Sequence, residues 1–561
     1  MSAATDQPSV GQPSAGQASK EQTETPPPLP PEPPFSLYRA MAYMGASMVL
    51  ALSQGLGQGF VTTNMPQIAG DLGITTTEAA WLMAAYMIPR AVLPLMLIKI
   101  RTQYGLRRFA EIGIALYVLV SFAAVWMSDL RSAVTIQFLS GCAAAPLATL
   151  AFLYMLEPLP QQWKMRIGLP LALLFLMSAP NLSRVISPAL IGDGGLTWVH
   201  LVALALAMMS MGLVYLLPLR PVPRERVIKS LDIVSFLLIG IGFGGLVICF
   251  VMGPIHYWTE QAWIGVLLAI SVLSLTGAVA IELNRKEPLI DIRWLTSPAI
   301  LHLTATLFLF RLILSEQSSG APRMFTALDV APSQMITLFT VILIACVMGA
   351  LACIAWIKPG REKWFHLAAL VLIFTGALMD SRSTVLTRPE QMLISQALIG
   401  CAGMLFMPPA AMMGLLSALA KGPQYLLSFV IVFLSTQSLG GVLGSGLFTT
   451  FINHRQAGYF QALAEQLTVT GQQTTAAIAA GAAMTASRIT DPVQQQLQGV
   501  SLLVQEVTRQ SYVLAYNDAY FLIALIAGGA LTALLLHVFR DWLAQRMTRD
   551  QGPSDITEPK T

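Results

Sequence analysis

Apolar stretches of about 20 residues, the length an α-helix needs to cross a bilayer, recur about fourteen times in this chain. They fall at 39–63, 79–99, 109–127, 133–156, 167–191, 197–217, 232–252, 262–282, 299–325, 333–357, 364–382, 391–416, 424–451 and 517–539. Only 11% of the 561 residues are charged and 55% are hydrophobic, whereas a soluble domain carries about 25% charged residues. The expected fold class is therefore an all-α integral membrane protein. A net charge of +4 gives no reason to expect nucleic acid as a partner.

Basic residues between the spans fix an orientation. With the N-terminus inside, the loops around 99–108, 164–166, 220–229, 285–286 and 358–363, Lys421 and the C-terminal tail place their Lys and Arg on one side. Arg382 and Arg388 are the main exceptions on the other side. An even number of spans with both termini cytoplasmic follows, in a bacterial inner membrane. The first 35 residues are polar and end in PPPLPPEPP, which reads as a disordered tail rather than a cleavable signal.

Two segments repeat. Span four contains QFLSGCAAA from Gln137 and span twelve contains QALIGCAGM from Gln396. The shared pattern suggests two related halves, as in transporters built from parallel repeats. The division is 1–37 Pro-rich tail, 38–217 N-terminal six-helix half, 218–298 two inserted helices, 299–540 C-terminal six-helix half, and 541–561 cytoplasmic tail. A long non-cytoplasmic segment, 453–516, belongs to the second half. It is rich in Gln, Ala and Thr, with amphipathic helices expected around 456–467 and 493–510. It is either a solvated loop or a docking surface.

Arg90, Arg184 and Arg311 sit mid-span, where a charge costs several kcal/mol unless answered. In span five Asn181, Arg184 and Ser187 recur every three residues, with Ser178 above them, forming one polar face expected to line a cavity. Pro180 and Pro188 loosen that helix. Gln54, Gln58 and Thr62 share a face of span one. The glutamines are either substrate contacts or interhelical glue, and Gly55, Gly57 and Gly59 permit close packing. Arg90 and Arg184 have the same two readings, a substrate contact or a structural tie. Glu316 is the best buried carboxylate and lies about 140° around the helix from Arg311, so the two do not pair. Asp380, near the end of span eleven beside Arg382, reads as an interfacial pair and as a second proton-coupling candidate. Asp232, Glu282 and Asp518, at helix ends, carry little signal.

Arginine stays protonated even when buried and its planar fork suits carboxylates. Three mid-span arginines facing one mid-span carboxylate therefore predict an anionic, lipophilic or aromatic substrate. No HExxH, Walker loop or Ser/His/Asp set is present, and the six histidines are scattered. The five cysteines lie in apolar runs without metal or disulfide spacing. Neither enzyme activity, nor a metal, nor a cofactor is expected.

Three stretches carry a family resemblance. VTTNMPQIAGDLGITTTEAAWLMAAY (61–86), the LGG-containing GPQYLLSFVIVFLSTQSLGGVLGSGLFTTFINHR (422–455) and LAYNDAYFLIA (514–524) resemble the fourteen-span drug:proton antiporter branch of the major facilitator superfamily, the EmrB/QacA-like multidrug exporters. The resemblance implies two six-helix halves plus two inserted helices. It also implies proton-coupled export of drugs, and a periplasmic adaptor with an outer-membrane channel as partners. Gly105, Arg107, Arg108, Gly440 and Gly441 would be conformational positions. The departures are specific. Gly57 stands where the family carries Asp, Ile98 and Arg101 replace residues of the loop motif, Gln137 stands in place of the span-four Arg, and Ser183–Arg184 replace Gly-Pro in the antiporter motif. Efflux of organic acids is expected, with proton-coupled anion uptake as the alternative.

Overall fold

A computed structural model describes residues 36–219, 226–422, 424–467 and 471–550. The polyproline stretch and the last tail residues lie outside them. The described residues are helical throughout their regular structure, and twelve helical segments are long and apolar enough to cross a membrane. Two further long helices, Leu37–Thr63 and Gln424–Gln466, occupy the positions of spans one and thirteen. Their Gly, Ser and Gln residues make them less apolar because they pack inside the bundle.

The principal helices are α1 Leu37–Thr63, α2 Thr76–Tyr104, α3 Leu106–Ala123, α4 Leu130–Leu156 and α5 Leu169–Leu216. The inserted pair is α6 Ser230–Met252 and α7 Ala262–Leu283. There follow α8 Pro298–Ile313, α9 Ser315–Ser319, α10 Ala321–Ala327, α11 Ile336–Trp356, α12 Glu362–Asp380 and α13 Leu393–Lys421. The chain ends with α14 Gln424–Gln466, α15 Gln472–Thr485 and α16 Pro492–Asp550.

The first half is α1–α5, with α5 supplying two spans and packing on α1 and α3. The second half is α8–α14 with α16. The halves meet along two seams, α5 on α11 and α2 on α14. Glycines set the closest approaches. A Cβ on Gly55 would lie 2.3 Å from the Ala179 Cβ, and one on Gly59 would lie 2.5 Å from the Ser183 Oγ, so α1 and α5 touch backbone to backbone. In the repeated motif Gly141 and Gly400 do the same work in the two halves. A Cβ at Gly141 would meet the Tyr86 carbonyl oxygen at 2.2 Å, and one at Gly400 would meet the Ile342 Cγ2 at 3.1 Å.

Three sequence expectations change. Spans five and six are joined without a loop; segments Lys164–Gly192 and Gly195–Leu216 meet at Gly195, whose φ of +66° only glycine adopts readily. Span nine is broken into α8, α9 and α10, because the helical bonding tightens at Leu314, whose carbonyl accepts from Gln317, and Gly320 leaves helical geometry. The expected loop helices near 456–467 and 493–510 are continuous extensions of α14 and α16, and α15, which was not anticipated, packs on α16.

The inserted pair is fixed at both ends. On the basic face, buried Asp232 of α6 accepts from Lys99 of α2 at 2.7 Å and from Arg285 at 2.5 Å, while Arg285 also holds Glu282 at 2.8 Å. On the opposite face, Trp258 Nε1 donates to the Thr450 hydroxyl at 2.8 Å and Asn453 donates to the Pro254 carbonyl at 2.9 Å. Asp232, Glu282 and Asp518, which ion-pairs with Arg455, thus carry structural charge that their terminal positions concealed.

Candidate functional site

The arginines lie at the seams between the halves. Arg90, on α2, donates to Gln58 Oε1 of α1 and to the Tyr86 hydroxyl at 3.4 Å. Its charge reaches Arg311 on α8, across the α2–α14 seam. Arg311 rests in a bed made by two missing side chains. A Cβ at Gly440 would lie 3.3 Å from its Cγ, and one at Gly441 would lie 3.2 Å from its Nε and Nη2. The LGG stretch thus makes room for an arginine. Arg311 Nε is buried without a hydrogen-bond partner. Among the described residues, no carboxylate forms an ion pair with Arg90 or Arg311.

Arg184 occupies the other seam. Its guanidinium lies 5.0 Å from the ring centre of Phe339, next to α11, and 3.5 Å from Asn181 Oδ1. Its charge is felt by Arg323 on α10, which donates to the Thr449 hydroxyl of α14 at 2.8 Å. Each seam therefore sets one arginine of the first half against one of the second. Like charges facing across a mobile interface repel unless an anion lies between them. Arg323 was missed in the sequence because it sits near a span end, where arginine is ordinary.

The rest of the span-five stripe does not line a cavity. Ser187 donates to Asn64 Oδ1 at 2.7 Å, Ser183 meets Thr63 at 3.1 Å, and Ser178 turns to its own helix at the Leu174 carbonyl. Hydroxyls facing α1 fasten two helices already brought close by glycine. Pro180 and Pro188 stay inside helical backbone. Gln54 donates to Ala51 O at 3.2 Å and leaves its Oε1 buried without a partner. Gln58, Tyr86 and Gln137 line a void of about 10 Å³, room for about one water. At Gly57 a Cβ would come within 3.0 Å of the Tyr117 hydroxyl, so an Asp there would collide. Gly105 ends α2 with φ +87°, and exposed Arg107 pairs with Glu111 on its own helix at 2.8 Å; Arg108 is exposed beside it.

A second polar cluster lies inside the C-terminal half. Gln396 Nε2, on α13, donates to Glu316 Oε1 at 2.7 Å and to Asp380 Oδ2 at 2.8 Å, and Ser395 donates to Asp380 Oδ1. Asp380 is 2% exposed and Glu316 1%. The reading of Asp380 as an interfacial partner of Arg382 is therefore replaced. The end of α12 turns its carboxyl inward onto α13, and the half holds two buried carboxylates rather than one. An apolar groove of about 350 Å³ between α11 and α13, lined by Val341, Met348, Ile394 and Cys401 among others, offers nothing to hold a charge.

The fold, two helical halves with facing seams, matches that of solved transporters, one of them of the major facilitator superfamily. The human organic anion transporter MFSD10 superposes with a TM-score of 0.53 at 11% identity, over 88% of this chain and 100% of that one. The proton:xylose symporter XylE does so at 0.52 and 11%, over 88% and 95%. In sequence, the chain is similar to the fatty acid resistance protein FarB of Neisseria gonorrhoeae, 24% identical over 260 residues, 45% of this chain and 50% of that protein. It is also similar to the multidrug export protein EmrB of Escherichia coli K12, 24% identical over 256 residues, 44% and 48% of the two chains. The chain thus spans about half the length of the curated relatives it matches. No known family profile matches it.

Proposed function

We propose that this protein is a secondary active exporter of small lipophilic organic anions, aromatic acids or fatty acids among them, working by alternating access in a bacterial inner membrane. The observation that carries the reading is that Arg90 and Arg311, like charges beside the α2–α14 seam, have no carboxylate ion-paired to either among the described residues, and that Arg311 Nε is buried without a hydrogen-bond partner. An anion entering between the halves relieves that repulsion and draws them together; its departure lets them part. Aromatic Phe339 and Tyr86 beside the guanidiniums suit an apolar body attached to the acid group. The names of the fatty acid resistance and multidrug export relatives support an export direction and an amphiphilic cargo.

The proton gradient is the proposed energy source, with antiport as the coupling mode. The helices that continue beyond the bundle, α14 and α16 with α15, are the proposed contact for a periplasmic adaptor and an outer-membrane channel. The test is transport of a permanently charged aromatic anion, naphthalenesulfonate, in proteoliposomes. Arg311→Gln and Arg184→Gln are expected to lower transport by about tenfold or more, and Arg323→Gln by less. Normal naphthalenesulfonate transport by both Arg311→Gln and Arg184→Gln would overturn the reading.

A further inference from the structure

Two carboxylates and one amide meet where they are hard to account for as packing. Glu316 and Asp380 come from α9 and α12, Gln396 from α13, and none has more than 2% of its surface exposed. Burying a single carboxylate is costly, and two that share one partner repel each other. Among the described residues no lysine, arginine or histidine acts on either; the further titratable neighbour is Tyr520 of α16, with Tyr516 a turn behind it. Of the elements packed around them, α8, α10, α13, α14 and α16, α8 carries Arg311 and α10 carries Arg323, but among the described residues neither arginine forms an ion pair with Glu316 or Asp380, and Arg323 is taken by Thr449.

The hydrogen bonds leave one proton unaccounted for. Both N–H groups of the Gln396 amide are used, one on each carboxylate. Two acceptors are then buried with no donor, Glu316 Oε2 and Gln396 Oε1. A proton on Glu316 supplies a donor where these two acceptors lack one and halves the negative charge of the pair. The backbone is interrupted at the same place: α8 gives way to α9 at Leu314, and Gly320 follows with ψ −94°. Discontinuous helices at membrane depth mark ion sites, because a short segment can shift without moving the span. Ser319 on α9 also touches Ser445 of α14 at 2.6 Å, about one turn along from the Gly440–Gly441 bed of Arg311.

We propose that Glu316, Gln396 and Asp380 form one proton-binding site, in which the two carboxyls share a proton and Gln396 is the positioning residue that holds them to a common geometry. The proposal rests on the proton-coupled reading above and gives it a location separate from the arginines. The proton is taken up from one face and released to the other, the pair alternating between charges of −1 and −2 with nothing oxidised or reduced. Movement of α9 carries the change to α14, and so to the helix on which Arg311 rests.

Two measurements test it on the full-length protein. Infrared difference spectra across a pH titration are expected to show a protonated-carboxyl C=O band that Glu316→Gln removes and Asp380→Asn removes or displaces; a band unchanged in both variants overturns the site, whatever the substrate is. In proteoliposomes, Glu316→Gln is expected to reduce gradient-driven naphthalenesulfonate transport by about tenfold while keeping exchange at symmetrical pH within about twofold of the unaltered protein. Retained exchange shows that this variant folds. Gln396→Leu is expected to move the pH profile of gradient-driven transport without abolishing exchange. Full gradient-driven transport in Glu316→Gln and Asp380→Asn would also overturn the site. If the unaltered protein does not exchange naphthalenesulfonate at all, the anion reading falls and the infrared band still decides the proton site.

Discussion

Replacing Asp232 by Asn separates a buried ion cluster from surface decoration. The Asp232 side chain has no exposed surface and takes Lys99 Nζ at 2.7 Å and Arg285 Nη2 at 2.5 Å, these partners being 13% and 8% exposed. It also accepts the Lys229 backbone N–H at 2.8 Å. Asn fills the same volume, so no cavity opens and the loss is electrostatic. The Asn NH₂ must face either the two cations on Oδ1 or the Lys229 N–H on Oδ2, a donor against donors in both orientations, and Lys99 has no other ion pair among the described residues. Removing one partner of a buried pair costs about 3–5 kcal/mol. Arg285 keeps Glu282 at 2.8 Å, which sets the expected loss near the lower end, about 3 kcal/mol. The internal control is Glu287→Gln. Its ion pair with Lys229 is equally short, 2.7 Å, but 57% and 69% exposed, so solvent screening leaves little to lose. Reversible unfolding in mixed detergent micelles, followed by circular dichroism, compares the two. If Asp232→Asn lies within about 1 kcal/mol of Glu287→Gln, the cluster does not clamp the inserted pair to α2 and the argument from burial fails.

Two further outcomes are expected. Gly141→Ala places a Cβ 2.2 Å from the Tyr86 carbonyl and so displaces the helix that carries Arg90, whereas at Gly400 the nearest atom is a methyl group at 3.1 Å. The first should cost about 1–3 kcal/mol or more and most of the transport, the second clearly less, as read by thermal unfolding and naphthalenesulfonate exchange. Replacing residues 462–510 with a short Gly/Ser linker should leave unfolding and vesicle transport unchanged while lowering the tolerance of cells to organic acids; unchanged tolerance would remove the projection from the export route.

The sequence carried the membrane architecture because each span must satisfy its own backbone, so length and hydropathy alone mark it. The mid-span arginines were legible for a related reason, since charge in an apolar run is rare. What stayed hidden depended on pairing across distance. Asp380 looked interfacial beside Arg382 because its partner, Gln396, is 16 residues away on the next helix. Gln396 could have been found: it is the repeat counterpart of Gln137, already singled out in the first half. The break between Leu314 and Gly320 falls in a polar run, Ser315 to Ser319, with Pro322 just beyond it, but the apolar residues on both sides made one span of the whole stretch. The role of Gly440 and Gly441 could not be read without knowing that an arginine from another helix lies on them.

One more consequence follows from α16. It runs 59 residues without interruption, about 88 Å at 1.5 Å per residue, against an apolar core of about 30 Å. Roughly 25 residues precede the level of Asp518, so about 37 Å of the rod lies on the outer side of that level, flanked by α15 and the end of α14. Such a rod is a pointer fixed to the C-terminal half. A tilt of about 10° in that half would swing its tip by about 6 Å, far more than any single side chain moves at the seams. Any tilt of that half inside the membrane would thereby be written outside it as a displacement, in the reach of anything that grips the tip.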